Sequence, residues 1–145
     1  MAVNHLMLSG VPFRCGNHFR YTVSVDGIFY FLSAKSLKYL FALAFSRYTT
    51  ACGWVHKQDI EPGQNQIKYM YQLRKELNSI SNGFGLLVEN DGNCCYRLNM
   101  DRSKIWFDLD RLSEFPDYDV AHRVEILRRF LSDQQQDELS TTANT

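Results

Sequence analysis

The chain has 145 residues, 45% of them apolar, enough for one domain with a real core and unlike a disordered segment. Sixteen Lys and Arg balance sixteen Asp and Glu, yet residues 1–104 hold 12 basic and 7 acidic side chains while residues 105–145 hold 4 and 9. A mildly basic body with an acidic C-terminal segment excludes neither nucleic acid nor protein as a partner, whereas the lack of any run of 18 apolar residues excludes a membrane-spanning helix.

From His5 to Leu32 the pattern has period two. Leu6 and Leu8 alternate before Ser9-Gly10, Val11 and Phe13 follow, and Cys15-Gly16-Asn17 offers a turn. Tyr21, Val23 and Val25 alternate again before Asp26-Gly27, a strong hairpin signal, and Ile28 to Leu32 resume an apolar run. Three or four short antiparallel strands, a β-meander, are expected. The period then changes. Ser33 is a good N-cap for a helix whose apolar residues Leu37, Leu40, Phe41, Ala44 and Phe45 are widened by Tyr39, Ala42 and Leu43 until it is apolar nearly all round. Such a helix is buried on most sides. Its end is expected near Arg47.

Trp54 to Ile60 can form a turn or two of helix, stopped by Pro62-Gly63. Gln64-Asn65 opens a third helix through Leu77, with Met70, Leu73 and Leu77 as its core stripe. After Asn82-Gly83 the period returns to two. Leu86 to Glu89 and Cys95 to Leu98 flank Asn90-Asp91-Gly92-Asn93, a β-hairpin with turn-forming residues at its tip. Helix, short helix, turn, helix and then hairpin is the order of a winged helix-turn-helix. The expected class is α+β, with three helices between the meander and a hairpin wing, and a helical C-terminal extension. The body spans 1–104, the extension 105–131, and a disordered polar tail 132–145.

These blocks resemble the effector domain of OmpR/PhoB-type transcriptional regulators over roughly residues 5–100. The meander ending in Leu32-Ser33 leads into an apolar helix, Gly53-Trp54-Val55 introduces the short second one, and Leu73-Arg74-Lys75-Glu76-Leu77 is similar to the family's LRRKL segment. Tyr96-Arg97-Leu98 matches the GYRL wing strand, with Cys95 in the place of its glycine. Ile105 to Leu112 resembles the junction of streptomycete-antibiotic-type regulators, where a similar domain passes into a helical bundle. No receiver domain is expected, so phosphorylation in cis is not implied. What the resemblance implies is sequence-specific binding of duplex DNA in transcription regulation. It adds RNA polymerase or a sensor protein as partners.

With Met70, Leu73 and Leu77 inward, Gln64, Lys68, Tyr71, Gln72 and Lys75 fall on the opposite face of the third helix. Gln72 suits bidentate reading of adenine and Lys68 reaches guanine, each worth about 1–3 kcal/mol of discrimination. Tyr71 suits a phosphate or a sugar. Arg97, Arg102 and Lys104, on or after the wing strand, suit the minor groove or phosphates. Lys35, Lys38 and Lys57 near helix starts are further phosphate anchors. In the family the arginine matching Arg74 is held by acidic partners. Glu89 and Asp91 oppose a wing contact with DNA, and they favour the alternative, a winged helix used only for protein contacts.

No catalytic constellation is visible. The four histidines are scattered, no metal-ligand spacing or glycine-rich phosphate loop occurs, and neither enzyme activity nor a cofactor or metal is expected. The four cysteines, Cys15, Cys52, Cys94 and Cys95, lack a C-x-x-C pair and are expected as small buried thiols in a reducing compartment, hence a cytoplasmic protein. Val120, Val124, Leu127 and Leu131 form a late apolar stripe that packs on the own domain or pairs two chains as a homodimer.

Overall fold

In a computed structural model, which describes residues 3–143 and side chains through Gln135, the meander forms as three antiparallel strands. These are β1 (Leu6–Cys15), β2 (His18–Val25) and β3 (Ile28–Leu32). Asp26 and Gly27 both take positive φ, +51° and +84°, the geometry that makes a two-residue turn follow the strand twist. The Asp26 carboxylate also accepts the backbone N–H groups of Asn4 and His5, at 2.9 and 2.8 Å.

The turn expected at Ser9-Gly10 is instead a bulge inside one long strand. The register slips between Leu8 and Pro12, Gly10 lies at φ +66°, and Thr22 Oγ1 accepts the N–H of Val11. Glycine serves a close approach here, since a Cβ would stand 3.1 Å from Leu37 Cδ2 and 3.2 Å from Leu112 Cδ2. A side chain would wedge the strand off the helices.

Ser33 caps α1 (Ala34–Thr49) as its residue type suggests, with its hydroxyl accepting from the N–H of Ser36. The helix is buried on most sides because β2, the helices Gln66–Ile80 and Tyr118–Ala143 and the hairpin strand Cys95–Leu98 surround it. Leu37, Tyr39, Leu40, Phe41 and Leu43 are each at most 1% exposed. Beyond it the expected short helix is divided. Val55–His56 (β4) pairs with β6 (Cys95–Leu98), and only Lys57–Ile60 (α2) is helical. The β-branched Val55 finds Tyr96 opposite, and pairing outweighs a helix of so few residues. Next come α3 (Gln66–Ile80), a 3-10 turn at Phe84–Leu87, and β5 (Val88–Asn90), which pairs with β6.

The C-terminal segment departs from a purely helical extension. Ile105–Phe107 is a strand, β7, that joins the N-terminal sheet parallel to β1, giving the order β3-β2-β1-β7. After the short α4 (Leu109–Leu112), α5 runs Tyr118–Ala143. Val120, Val124 and Leu127 are buried, and α5 packs mainly on α1 and α4. An aromatic chain ties these parts together. Phe107 meets Phe41 and Tyr48 edge-on at 5.7 and 5.5 Å, and Tyr48 meets Phe130 of α5 at 6.0 Å. The helix also runs through most of the segment expected to be a disordered tail, since 117–145 contains no Gly or Pro to stop it. Asn144 and Thr145 of that tail lie outside the described residues. The whole is α+β, and among the described residues no helix is long and apolar enough to cross a membrane.

One buried charge cluster locks α5 to the body. Lys38 of α1 is 4% exposed, and its ammonium donates to Glu61 at 3.0 Å and to Asp117 and Asp119 at 2.9 Å each. Glu61 also accepts from Lys35 at 2.7 Å and Tyr39 at 2.5 Å. Burial alone would lower the pKa of Lys38, but its three carboxylate partners outweigh that and raise it. Burial would likewise lift Glu61, yet the donors Lys35, Tyr39 and Lys38 hold it down at about 2 against an ordinary 4.5. Lys38→Met therefore leaves partly buried carboxylates without their shared cation and is expected to cost about 3 kcal/mol in urea denaturation at pH 7. The depressed Glu61 pKa stabilises the fold fully above pH 4.5 and loses that effect as pH falls from about 4.5 to 2. Glu61→Gln is expected to flatten the acid limb of stability against pH over that window.

Candidate nucleic-acid interface

Helix α3 is held from one side and open on the other. Gln66, Met70, Leu73 and Leu77 are its buried residues, at helical spacing. Its one carboxylate, Glu76, turns toward the start of α1. There it accepts the N–H of Ser33 at 2.8 Å, the Ser33 hydroxyl at 2.7 Å and the Ser36 hydroxyl. The first turn of α1 contains no acidic residue, so a carboxylate from α3 complements that helix end instead. This removes the only negative charge of α3 from its outer face.

On that face Lys68, Tyr71 and Lys75 are exposed, Tyr71 by 69%. Gln64 is exposed as well but precedes the helix, in the turn after Gly63. Gln72 is half-buried and looks toward the start of α1, where its Nε2 donates to Ser33 Oγ at 3.3 Å. It lines a cleft of about 680 Å³ between the β1–β2 hairpin and α1, together with His18, Arg20 and Lys35. The rings and cations continue across: Lys35 and Lys68 both lie over the Tyr69 ring, at 4.8 and 5.9 Å.

Arg97 and Arg102 gather elsewhere, around Arg47 at the far end of α1. Arg97 is ion-paired to Glu89 at 2.9 Å and sits 4.5 Å over the Trp54 ring. Gly53 gives way to both arginines, since a Cβ there would lie 2.9 Å from Arg47 Cδ and 3.3 Å from Arg97 Cγ. Arg102 is exposed and lies 5.8 Å from the Tyr48 ring, with Asp101 beside it in the same shallow pocket. Tyr48 stands 13 residues after Lys35 on α1, about 20 Å along the helix. Gln64, Lys68, Tyr71, Gln72 and Lys75 at α3 thus form one group and Arg97 and Arg102 another, and the structure does not join them into one stripe.

The acidic hairpin residues have local explanations. Asp91 accepts the N–H groups of Asn93 and Cys95 at 2.7 and 3.1 Å, which first by the Asn93 bond lowers its pKa and which shapes the turn. Glu89 neutralises Arg97. Among the other expected anchors, Lys38 is buried in its carboxylate cluster and is unavailable to a phosphate. Arg74 is held by the Val88 carbonyl at 3.0 Å and the Tyr96 ring at 6.0 Å, rather than by acidic side chains among the described residues. The cysteines are free but not buried. Cys15 is exposed at the hairpin end, Cys52 is exposed after α1, and Cys94 and Cys95 are half-buried, with Cys94 at φ +67° closing the β5–β6 turn. They stand at strand ends and in turns rather than in strand interiors, away from the apolar core.

Arg20, Arg47 and the Glu76 cap escape sequence reading, because each is defined by a partner 40 or more residues away. Among the described residues no group of three His, Cys, Asp or Glu side chains is placed to hold a metal ion. Compared with family models, curated proteins and solved structures, the chain matches none.

The two faces of α3 make an immediate test. Lys68→Ala and Lys75→Ala, both on the exposed face, are expected to change stability by less than about 0.5 kcal/mol. Glu76→Ala, which leaves the α1 start without its acceptor, is expected to cost about 2–3 kcal/mol. Urea denaturation of the three variants checks the order.

Proposed function

We propose that the chain is a winged-helix protein that binds duplex DNA sequence-specifically and acts as a transcriptional regulator. Helix α3 enters the major groove and the β5–β6 hairpin serves as the wing. One observation supports this most. Helix α3 turns its only carboxylate inward and presents Lys68, Tyr71 and Lys75 outward on a helix fixed by buried apolar residues. Lys68 and Lys75 contact base edges or phosphates there, and Tyr71 a phosphate or sugar. The wing contributes lightly, because Arg97 is already paired with Glu89.

With about five protein–phosphate contacts, the log–log dependence of affinity on salt has a slope of roughly −4 to −5. Lys75→Ala is expected to weaken binding to a selected duplex by about five- to fiftyfold and to leave the thermal midpoint unchanged. Fluorescence anisotropy on genomic fragments and on random duplexes measures both. Absence of duplex binding by the wild-type chain at low salt overturns the reading.

A second reading, a protein-contact module, is favoured by the outer face of the N-terminal sheet. Trp106, Met7, Ser24 and Phe29 stand in one cross-strand row over all four strands, and the Phe13 and Phe31 rings meet at a tilt beside it, 4.9 Å apart. Phe29 is 68% exposed and Trp106 51%. Exposed apolar surface of this kind marks contact sites. The same DNA titration separates the two readings.

A further inference from the structure

The cleft between the β1–β2 hairpin and the start of α1 is cationic on both walls. Arg20 stands on β2, and Lys35 opens α1. Their commitments differ. Lys35 donates to Glu61 at 2.7 Å and so contributes mainly a field. Arg20 approaches Glu76 at 3.7 Å, beyond hydrogen-bond length, and its side chain is 49% exposed. The Glu76 oxygens already accept the N–H of Ser33 and the hydroxyls of Ser33 and Ser36. The guanidinium is thus drawn to the cleft wall without being consumed there, and an exposed pair of this length holds it with little energy.

Two further polar side chains face the same space, His18 on β2 and Gln72 on α3, the latter bound to Ser33 only at 3.3 Å. The cleft also opens toward the recognition face, because the Tyr69 ring bridges Lys35 at its rim to Lys68 on α3. A ligand here that extends past Tyr69 meets the outer face of α3. A long polyanion satisfies that geometry. A small anion fills only one end of it.

We propose that this cleft is a second anchoring site for duplex DNA, in which Arg20 grips a phosphodiester of the strand flanking the groove entered by α3. The proposal rests on the DNA-binding reading of α3. His18 and Gln72 supply hydrogen bonds, and Lys35 the supporting charge. The N-terminal hairpin thereby takes the backbone-holding part that the Glu89-paired wing arginine fills weakly.

The test is anisotropy of labelled duplexes against the full chain over a range of salt, with wild type, Arg20→Ala, Arg20→Lys and Lys75→Ala compared. Arg20→Ala is expected to make the log–log salt slope shallower by about 0.9. It is also expected to weaken binding about five- to tenfold to every duplex alike, as loss of one charge-assisted phosphate contact should. Arg20→Lys keeps the charge and therefore the slope, while losing part of the affinity with the guanidinium fork. Wild-type slope and affinity in Arg20→Ala, alongside weakened binding by Lys75→Ala, overturn the cleft proposal alone. So does an Arg20→Ala loss confined to one sequence, which makes Arg20 a base reader. No binding by wild type overturns both this proposal and the reading of α3.

Discussion

The buried ammonium of Lys38 is the point at which the parts of this fold are forced to agree. A lysine in that position is tolerated only if several acceptors reach it, and they come from two different places: Glu61, which ends α2, and Asp117 with Asp119, which begin α5. Separations of 23, 79 and 81 residues close on one atom. The geometry of α1, of the turn into α3 and of the first turn of α5 is therefore set together. Arg123 reinforces the same junction by donating to the Asp59 and Ile60 carbonyls at 2.5 and 3.1 Å. Without that junction, α5 would meet α1 through its apolar stripe alone, which fixes its register along α1 poorly.

The consequence for α3 follows through the turn at Pro62-Gly63. Gln66, fully buried at the start of α3, donates to the Glu61 and Gly63 carbonyls at 2.8 and 2.9 Å, so the helix begins where the charge cluster puts it. Its other end is tied by Asn78, whose side chain accepts the N–H of Gly85 at 2.7 Å. Between the two, Glu76 docks on the cap of α1. A helix pinned at both ends and in the middle can hold its outward side chains at fixed spacing, which recognition of a regular lattice of phosphates and bases needs.

Periodicity carried much of this in the sequence. The Asp26-Gly27 turn, the Ser33 cap, and the Met70, Leu73 and Leu77 stripe are local features, each decided by residues within a turn or two, and each stands where its pattern put it. The failures share the opposite character. Gly10 reads as a turn glycine, but Leu37 and Leu112, distant in sequence, make it a bulge. Ile105 to Phe107 read as the start of a helical extension, but β1 offers them an edge to pair with. Lys38 reads as a solvated anchor, since nothing nearby in sequence shows its carboxylates. Among the site residues, Lys68, Tyr71 and Lys75 were legible because helix phase alone exposes them. Arg97 and Arg102 were not placed by phase, and only the packing around Arg47 shows that they stand apart from α3.

The zero net charge has the same origin as these misreadings. Part of the acidic surplus of the C-terminal segment is consumed within the fold, Asp117 and Asp119 on Lys38, while Asp110 and Glu125 pair with Arg128 and Arg129 of the same segment. Exposed charges farther apart than about 8 Å are largely screened at physiological salt. An approaching anion therefore responds to the groups beside it and not to the sum over the chain. At α3 those groups are Lys68 and Lys75, with Arg20 and Lys35 across the cleft, while Glu76 and Glu61 face inward onto donors of their own. A chain can be neutral as a whole and still present a locally positive surface, provided its carboxylates are spent on holding the fold.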